Sequence, residues 1–334
     1  MRVTRPANGR CRPAGQLEGV TMVTHDRKSL VLNFAESRLG GALDSFESPL
    51  TVLASPAWRG VEADIWVAKR GDRAEVFKHY HSDVDHYIEP AAAIANAKAA
   101  GDIGVGPRVL DSWDGHGLMA MEYLGEGWRA GGLHDAASEG IRRAIIAAKK
   151  SLHAGPRLVR DGDIFRDIKI AHAVCLRRDA YLPSNIAAFL DFSARAEKAM
   201  SQLVVHRVAC HRDGNTANVM VGPNGAVRLL DYDLSANADP YEDLGCYLLE
   251  MYDREPEAKE GFREWTGFFS EGLFNRSMVY GILDDLRWGL NASAVSATSP
   301  RSTLDFIKYA SWRLLRFEML SQTSAAADRL RQLS

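Results

Sequence analysis

No apolar run in the sequence approaches the roughly 20 residues that a membrane-crossing helix needs, so no bilayer span is expected. Cysteine is scarce. Cys11, Cys175, Cys210 and Cys246 are widely spaced and form no CxxC pair, which argues against a zinc site or a disulfide framework and fits a reducing cytoplasm. An excess of one charge is missing too: 41 basic residues face 43 acidic ones, for a formal charge of -2. That balance gives no general attraction to nucleic acid or to an anionic membrane. Arg2, Arg5 and Arg10 are not followed by an apolar core, so a secretory leader is not expected. Internal repeats and long low-complexity segments are absent, as are GxGxxG and GxxxxGK[ST], the usual glycine-rich signatures of nucleotide sites.

What is present is ordinary globular material, 46% apolar and 25% charged, in a 334-residue chain long enough for two lobes. Residues 1–45 read as an N-terminal extension, partly disordered over its Gly-, Pro- and Arg-rich beginning; Met22 offers a second start. From Leu50 the text is strand-like: "LTVLA", "ADIWVAK", a turn at Gly71-Asp72, then "RAEVFKHY". Pro90 opens and Gly101 closes an alanine-rich helix. "GPRVLDSWD" and "GLMAMEYL" resume strand character, and beyond Gly125-Glu126-Gly127 the periodicity turns helical. One hairpin interrupts the helices, "NVMVG" and "VRLLDYD" joined at Pro223-Asn224-Gly225. The expected fold is therefore α+β, with a small antiparallel-sheet lobe over 46–124 and a larger helical lobe over 125–334.

The stretch "ACHRDGNTANVM" places His211, Asp213, Asn215 and Asn218 in a polar loop just before that hairpin, and Asp231 stands at the end of its second strand. Asp213, Asn218 and Asp231 can thus converge. Two oxygen-bearing side chains suit Mg²⁺, a third carboxylate can receive a hydroxyl proton, and phosphoryl transfer adds a lysine on the nucleotide phosphates. Lys78, in the strand "RAEVFKHY", is the candidate. A second polar cluster, "HYHSDVDH" with His79, His81, Asp83, Asp85 and His86, has neither helix-spaced histidines nor a distant third ligand. It reads as a solvated edge, not a metal site.

HxDxxxxN followed by a strand and "LLDYD" resembles the small-molecule kinases grouped as aminoglycoside phosphotransferases and choline/ethanolamine kinases, which share a two-lobed protein-kinase-like fold. The likeness covers about residues 50 to 320. It implies Asp213 as catalytic base, Asn218 and Asp231 as Mg²⁺ ligands, and Lys78 on the α- and β-phosphates of ATP. It makes His211 structural and Asp243 a brace of the catalytic loop. Met121-Glu122-Tyr123 becomes the hinge that meets adenine, and Glu89 the partner of Lys78, with Asp85 in reserve. Backbone amides of residues 55–60 would cradle a phosphate.

Neither DFG nor APE lies between Asp231 and Asp243, which leaves no room for a peptide-docking segment and favours a small acceptor. The order of "DYDLSANADPYEDLGCYLLE", "RWGL" and "FIKYA" is similar to the choline/ethanolamine branch. That likeness implies Glu250 facing an ammonium group and Trp288 and Tyr309 as an aromatic wall, with Asn291 near the place of a second tryptophan. The expected function is ATP-dependent phosphorylation of a small cationic amino alcohol. An aminoglycoside or other alcohol is the second choice of acceptor, and a non-catalytic ATP-binding protein is the third reading.

Overall fold

The structure is a computed structural model and describes residues 17–49, 62–301 and 304–333. The expected strand "LTVLA" and the phosphate-covering segment 55–60 lie outside the described residues, as do residues 1–16.

The N-terminal region supplies a helix, α1 (Leu17–Leu39), and a short strand, β1 (Ser45–Glu47). There follow β2 (Ala63–Arg70), β3 (Arg73–Tyr80), α2 (Pro90–Asp102), β4 (Val109–Trp113) and β5 (Leu118–Glu122). The strands form one antiparallel sheet in the order β1-β2-β3-β5-β4. Side chains alternate across a strand, and here the two faces have different duties. Trp66, Ala68, Phe77, Leu118 and Ala120 pack outward on Val31, Ala35 and Leu39 of α1, while Ile65, Val67, Val76, Lys78, Met119 and Met121 open into a cavity. Spacing of four residues puts the three α1 side chains on one stripe. Arg27 ties this helix to Asp64 at 3.0 Å and to the carbonyls of His79 and Tyr80, and Arg38 ties it to Glu75 and Asp111. Part of the expected extension is thus the outer layer of the sheet lobe.

The second lobe holds β6 (Arg129–Ala130), α3 (Glu139–His153), α4 (Ile164–Arg177), α5 (Ile186–Met200), β7 (Val208–Cys210), β8 (Val219–Val221), β9 (Val227–Leu229) and β10 (Ala236–Ala238). It closes with α6 (Pro240–Met251), α7 (Glu255–Thr266), α8 (Glu271–Thr298), α9 (Phe306–Ser321) and α10 (Ser324–Gln332). Helix α8 runs through its middle, buried on nearly every side from Phe274 to Val295, its buried charges paired, Arg276 with Asp239, Arg287 with Asp284 and Asp285 with Arg313 and Arg316. It approaches α6 at Gly245, where an added Cβ would lie 2.0 Å from the Ser277 carbonyl oxygen. Among the described residues no helix is long and apolar enough to cross a membrane.

Candidate active site

The polar loop is held from below before it can present anything above. Strand β7 pairs with β10, which fixes the chain up to Cys210. The next two backbone N–H groups, of His211 and Arg212, each donate to the Asp243 carboxylate at 3.1 Å. Lys149 on α3 adds 2.7 Å to Asp243 and 2.9 Å to the carbonyl oxygen of Asp213, and His153 reaches Asp243 at 2.9 Å. Burial alone would raise the Asp243 carboxyl, but Lys149 and His153 outweigh it and hold the group far below the usual carboxylate range. Arg212 adopts a left-handed backbone, φ 64°, and its buried guanidinium pairs with Glu242 at 2.7 Å and Asp167 at 2.6 Å. Gly214 follows because α6 leaves no room: a Cβ there would lie 2.1 Å from the Cys246 carbonyl oxygen.

Above this footing, Asp213 accepts from the Asn215 backbone at 2.7 Å and from the Asn218 carboxamide at 2.9 Å. Burial pushes its carboxyl upward. Asn215 caps the short turn Thr216–Asn218 through the Ala217 N–H, which delivers Asn218 to the start of β8. Strands β8 and β9 form the expected hairpin. Pairing stops at Leu229, and Asp231 lies two residues on with φ 67°, turned back toward the loop. One of its oxygens is 3.5 Å from the Asn218 carboxamide and the other 2.7 Å from Lys78 Nζ. Lys78 also meets Asp233 at 2.6 Å, to which Tyr80 donates at 2.5 Å. Burial opposes charge on both partners, yet Lys78 draws the Asp231 carboxyl down, and Asp231 with Asp233 raises the Lys78 ammonium well above its ordinary value.

Between the lobes opens a cavity of about 470 Å³. Lys78, Asp213, Asn218, Asp231, Glu122, Tyr123, Trp288 and Tyr309 all line it. Glu250 does not. It is half-buried on α6, where burial pushes its carboxyl up and Arg313, then Arg316, pull against that. Arg313 lines the cavity itself, 5.5 Å over the Tyr309 ring and 2.8 Å from Asp285. Asn291 is buried, and the ring that meets Trp288 is instead Tyr87, edge-on at 6.0 Å.

Glu89 is not beside Lys78, because it precedes Pro90 and so lies exposed at the N-cap of α2, outside the helix. Asp85 is exposed and 3.5 Å from Arg178. Lys78 is paired with Asp231 and Asp233 in their stead. "HYHSDVDH" is not a solvated edge either: His79 is buried, Asp83 is held by Arg301 at 2.8 Å, and His81 is 3.2 Å from Asp64. None of its residues joins a metal-sized cluster among the described residues.

Several site residues escaped the sequence analysis. Lys149 had a signal, a lysine on the apolar stripe of a helix with Ile145 and Leu152. Asp233 stood unremarked inside "LLDYD". Glu62, buried and lining the cavity, had none.

The sequence model of the phosphotransferase enzyme family matches residues 54–274. The chain belongs to that family. As a phosphotransferase it is a kinase enzyme, and its fold is the two-lobed one of similar solved structures. A choline/ethanolamine kinase family protein from Mesorhizobium loti is 20% identical with a TM-score of 0.74, over 93% of this chain and 98% of that one. Choline kinase LicA from Streptococcus pneumoniae is 18% identical with a TM-score of 0.70, over 88% and 99%. Spectinomycin phosphotransferase is 12% identical with a TM-score of 0.56, over 85% and 95%. No curated protein matches the sequence.

Proposed function

We propose that this phosphotransferase moves the γ-phosphoryl group of ATP to the hydroxyl of a small amino alcohol. The observation that carries the proposal is the lining of one cavity by two sets of groups. Lys78, Asp213, Asn218 and Asp231 supply charge chemistry, and Trp288 and Tyr309 supply aromatic faces. Met121, Glu122 and Tyr123, at the end of β5 and lining the same cavity, are suited to receive adenine. The ammonium of Lys78 serves the nucleotide phosphates. Asp213, anchored through its carbonyl by Lys149, takes the hydroxyl proton as the acceptor oxygen bonds to the γ-phosphorus and the bond to the β,γ-bridging oxygen breaks, releasing ADP.

Asn218 Nδ2 lies 3.5 Å from an Asp231 oxygen, and a half-turn of that carboxamide would set its hard oxygen beside the carboxylate, a pair that suits Mg²⁺. Bound there, the cation would neutralise charge on the phosphates. Trp288 and Tyr309 can hold an ammonium through their faces, each ring contributing about 0.5–2 kcal/mol, and Glu250, which lies outside the lining but interacts with the lining residue Arg313, is the carboxylate we assign to that ammonium. Since Asn291 leaves the aromatic wall short of one ring, ethanolamine or a methylated relative should serve at least as well as choline. The free, buried Cys175, Cys210 and Cys246 support a reducing cytoplasm as its setting.

ATP turnover with ethanolamine, choline, an uncharged diol and an aminoglycoside tests the reading. Turnover is expected with the amino alcohols. Equal use of the diol removes the ammonium site, and preference for the aminoglycoside replaces the proposed acceptor.

A further inference from the structure

We propose that Tyr87, a sheet-lobe residue outside the cavity lining, is a positioning residue that sets the Trp288 ring for the acceptor. This role rests on Trp288 and Tyr309 forming the acceptor wall, as proposed above. Trp288 is 7% exposed and lines the cavity from α8. Rotation of an indole about its second side-chain torsion is soft, so packing, not rotamer preference, has to fix the plane of the ring. Asn291, close by on α8, brings no ring of its own. Among the described residues the ring that meets Trp288 comes from the other lobe. Tyr87 lies edge-on to it, with centroids 6.0 Å apart and planes at 81°, inside the range that aromatic pairs favour.

Tyr87 can fix another ring because its own segment is pinned. It follows the short turn Ser82–Val84; its N–H and that of Ile88 donate to the Val84 carbonyl oxygen at 3.1 and 3.0 Å, and Val84 and Ile88 are buried. Its hydroxyl donates to Glu62 at 3.2 Å, and the His86 ring meets its own at 4.8 Å. The segment is also fastened to both helices of the acceptor wall. Asp83 accepts from Ser299, the C-cap of α8, at 2.6 Å and from two nitrogens of Arg301 at 2.8 Å each. Arg301 in turn lies 5.0 Å over the ring of Phe306, the first residue of α9, which carries Tyr309. Arg178 joins Asp85 at 3.5 Å to the Ala294 carbonyl oxygen of α8 at 3.2 Å.

The polar stretch "HYHSDVDH" and the tyrosine after it thus have a use that is neither metal binding nor solvation. They carry the geometry of the sheet lobe to an aromatic wall built on the helical lobe. A Trp288 ring free to swing would have to be ordered each time an acceptor binds, and that cost falls on acceptor affinity. Asp213 keeps its own supports on α3 and in the catalytic loop, so the transfer step is affected less.

Steady-state kinetics on the full chain decide the matter, with the best acceptor among ethanolamine, choline, an uncharged diol and an aminoglycoside. Tyr87→Leu should raise the acceptor's KM by about threefold to tenfold, with kcat and the KM for ATP moving less. Tyr87→Phe keeps the ring and should stay within about twofold of the parent. Trp288→Leu should raise the acceptor's KM too, and adding Tyr87→Leu to it should raise it no further, because the contact is already gone. A general loss of structure would instead compound the two effects. The proposal is overturned if Tyr87→Leu leaves the KM unchanged while Trp288→Leu raises it, if Tyr87→Phe is as impaired as Tyr87→Leu, or if the two losses multiply. A Trp288→Leu enzyme with the parent's KM, or no turnover with any of the four acceptors, overturns the aromatic wall itself, and the role of Tyr87 falls with it.

Discussion

Lys149→Met removes one atom group that serves two masters. Its ammonium is 2.7 Å from Asp243 and 2.9 Å from the Asp213 carbonyl oxygen, and the side chain is 3% exposed. Methionine replaces most of the stem, so little of the cost comes from packing. The cost comes from Asp243, which is fully buried. Removing one partner of a buried ion pair typically costs about 3–5 kcal/mol. Asp243 retains His153 and the N–H groups of His211 and Arg212, which places the expected loss at the lower end, about 3 kcal/mol. Against a usual total of about 5–15 kcal/mol this is large but survivable. Urea unfolding at neutral pH should show it as a lower midpoint with an unchanged slope. Kinetics should show it as well, because Asp213 loses the anchor on its carbonyl. A misplacement near 1 Å lowers kcat by about 10²-fold, while KM for ATP, to which Lys78 and the Met121–Tyr123 segment of the sheet lobe would contribute, should move less. A loss below about 1 kcal/mol with kcat intact would refute the reasoning: the backbone amides and His153 would then suffice, and Lys149 would be a bystander.

Three further outcomes are expected. Asp213→Asn should lower turnover by about 10²–10⁴, with Mg·ATP affinity in calorimetry nearly unchanged; near-normal turnover removes Asp213 as the base. Glu250→Gln should raise KM for an amino alcohol more than Trp288→Leu does, because an unpaired desolvated charge costs several kcal/mol and a lost ring about 0.5–2 kcal/mol. The reverse order would assign the ammonium to the rings. His79 and His86 are held down to about 4, by burial first and then by Arg27 and Arg178 respectively. Their unfolded forms therefore bind protons that the folded forms refuse, and their share of stability is lost as pH falls from about 6.5 to 4. Thermal melts across that window should fall less steeply for the His79→Gln/His86→Gln double variant than for the parent; parallel curves would rule the histidines out.

Much of this site could be read in advance because its chemistry is local in sequence. Asp213 and Asn218 share one loop, and a hairpin brings Asp231 back to them, so spacing and turn residues were enough. Lys78 was picked out as the lysine of the strand "RAEVFKHY", and its role came from the family likeness. Its partners were not, since Asp231 and Asp233 are more than 150 positions away and no local rule selects them over the nearer Glu89. Helix α1 was missed for a different reason. Polar residues interrupt its apolar ones, and what holds it is the outer face of the sheet and two arginines, all contacts with later sequence. Lys149 is the instructive middle case. A lysine on an apolar helical stripe is visible in the sequence, but only the fold shows that two acceptors await it.

The left-handed backbones of Arg212 and Asp231 restrict how the loop can diverge. For most side chains that conformation costs about 1–2 kcal/mol, and only Gly, Asn and Asp visit it readily. Asp231 is thus limited twice, by its carboxylate and by its φ of 67°. An inactive descendant would drift first to Asn or Gly, and Asn is the replacement that removes charge while leaving the main chain at ease. Arg212 has no such tolerance. A long side chain at φ 64° persists there because Glu242 and Asp167 grip its guanidinium. Those two acids thus hold the shape of a turn neither of them belongs to, and replacing either should free the Arg212 backbone to leave the left-handed region.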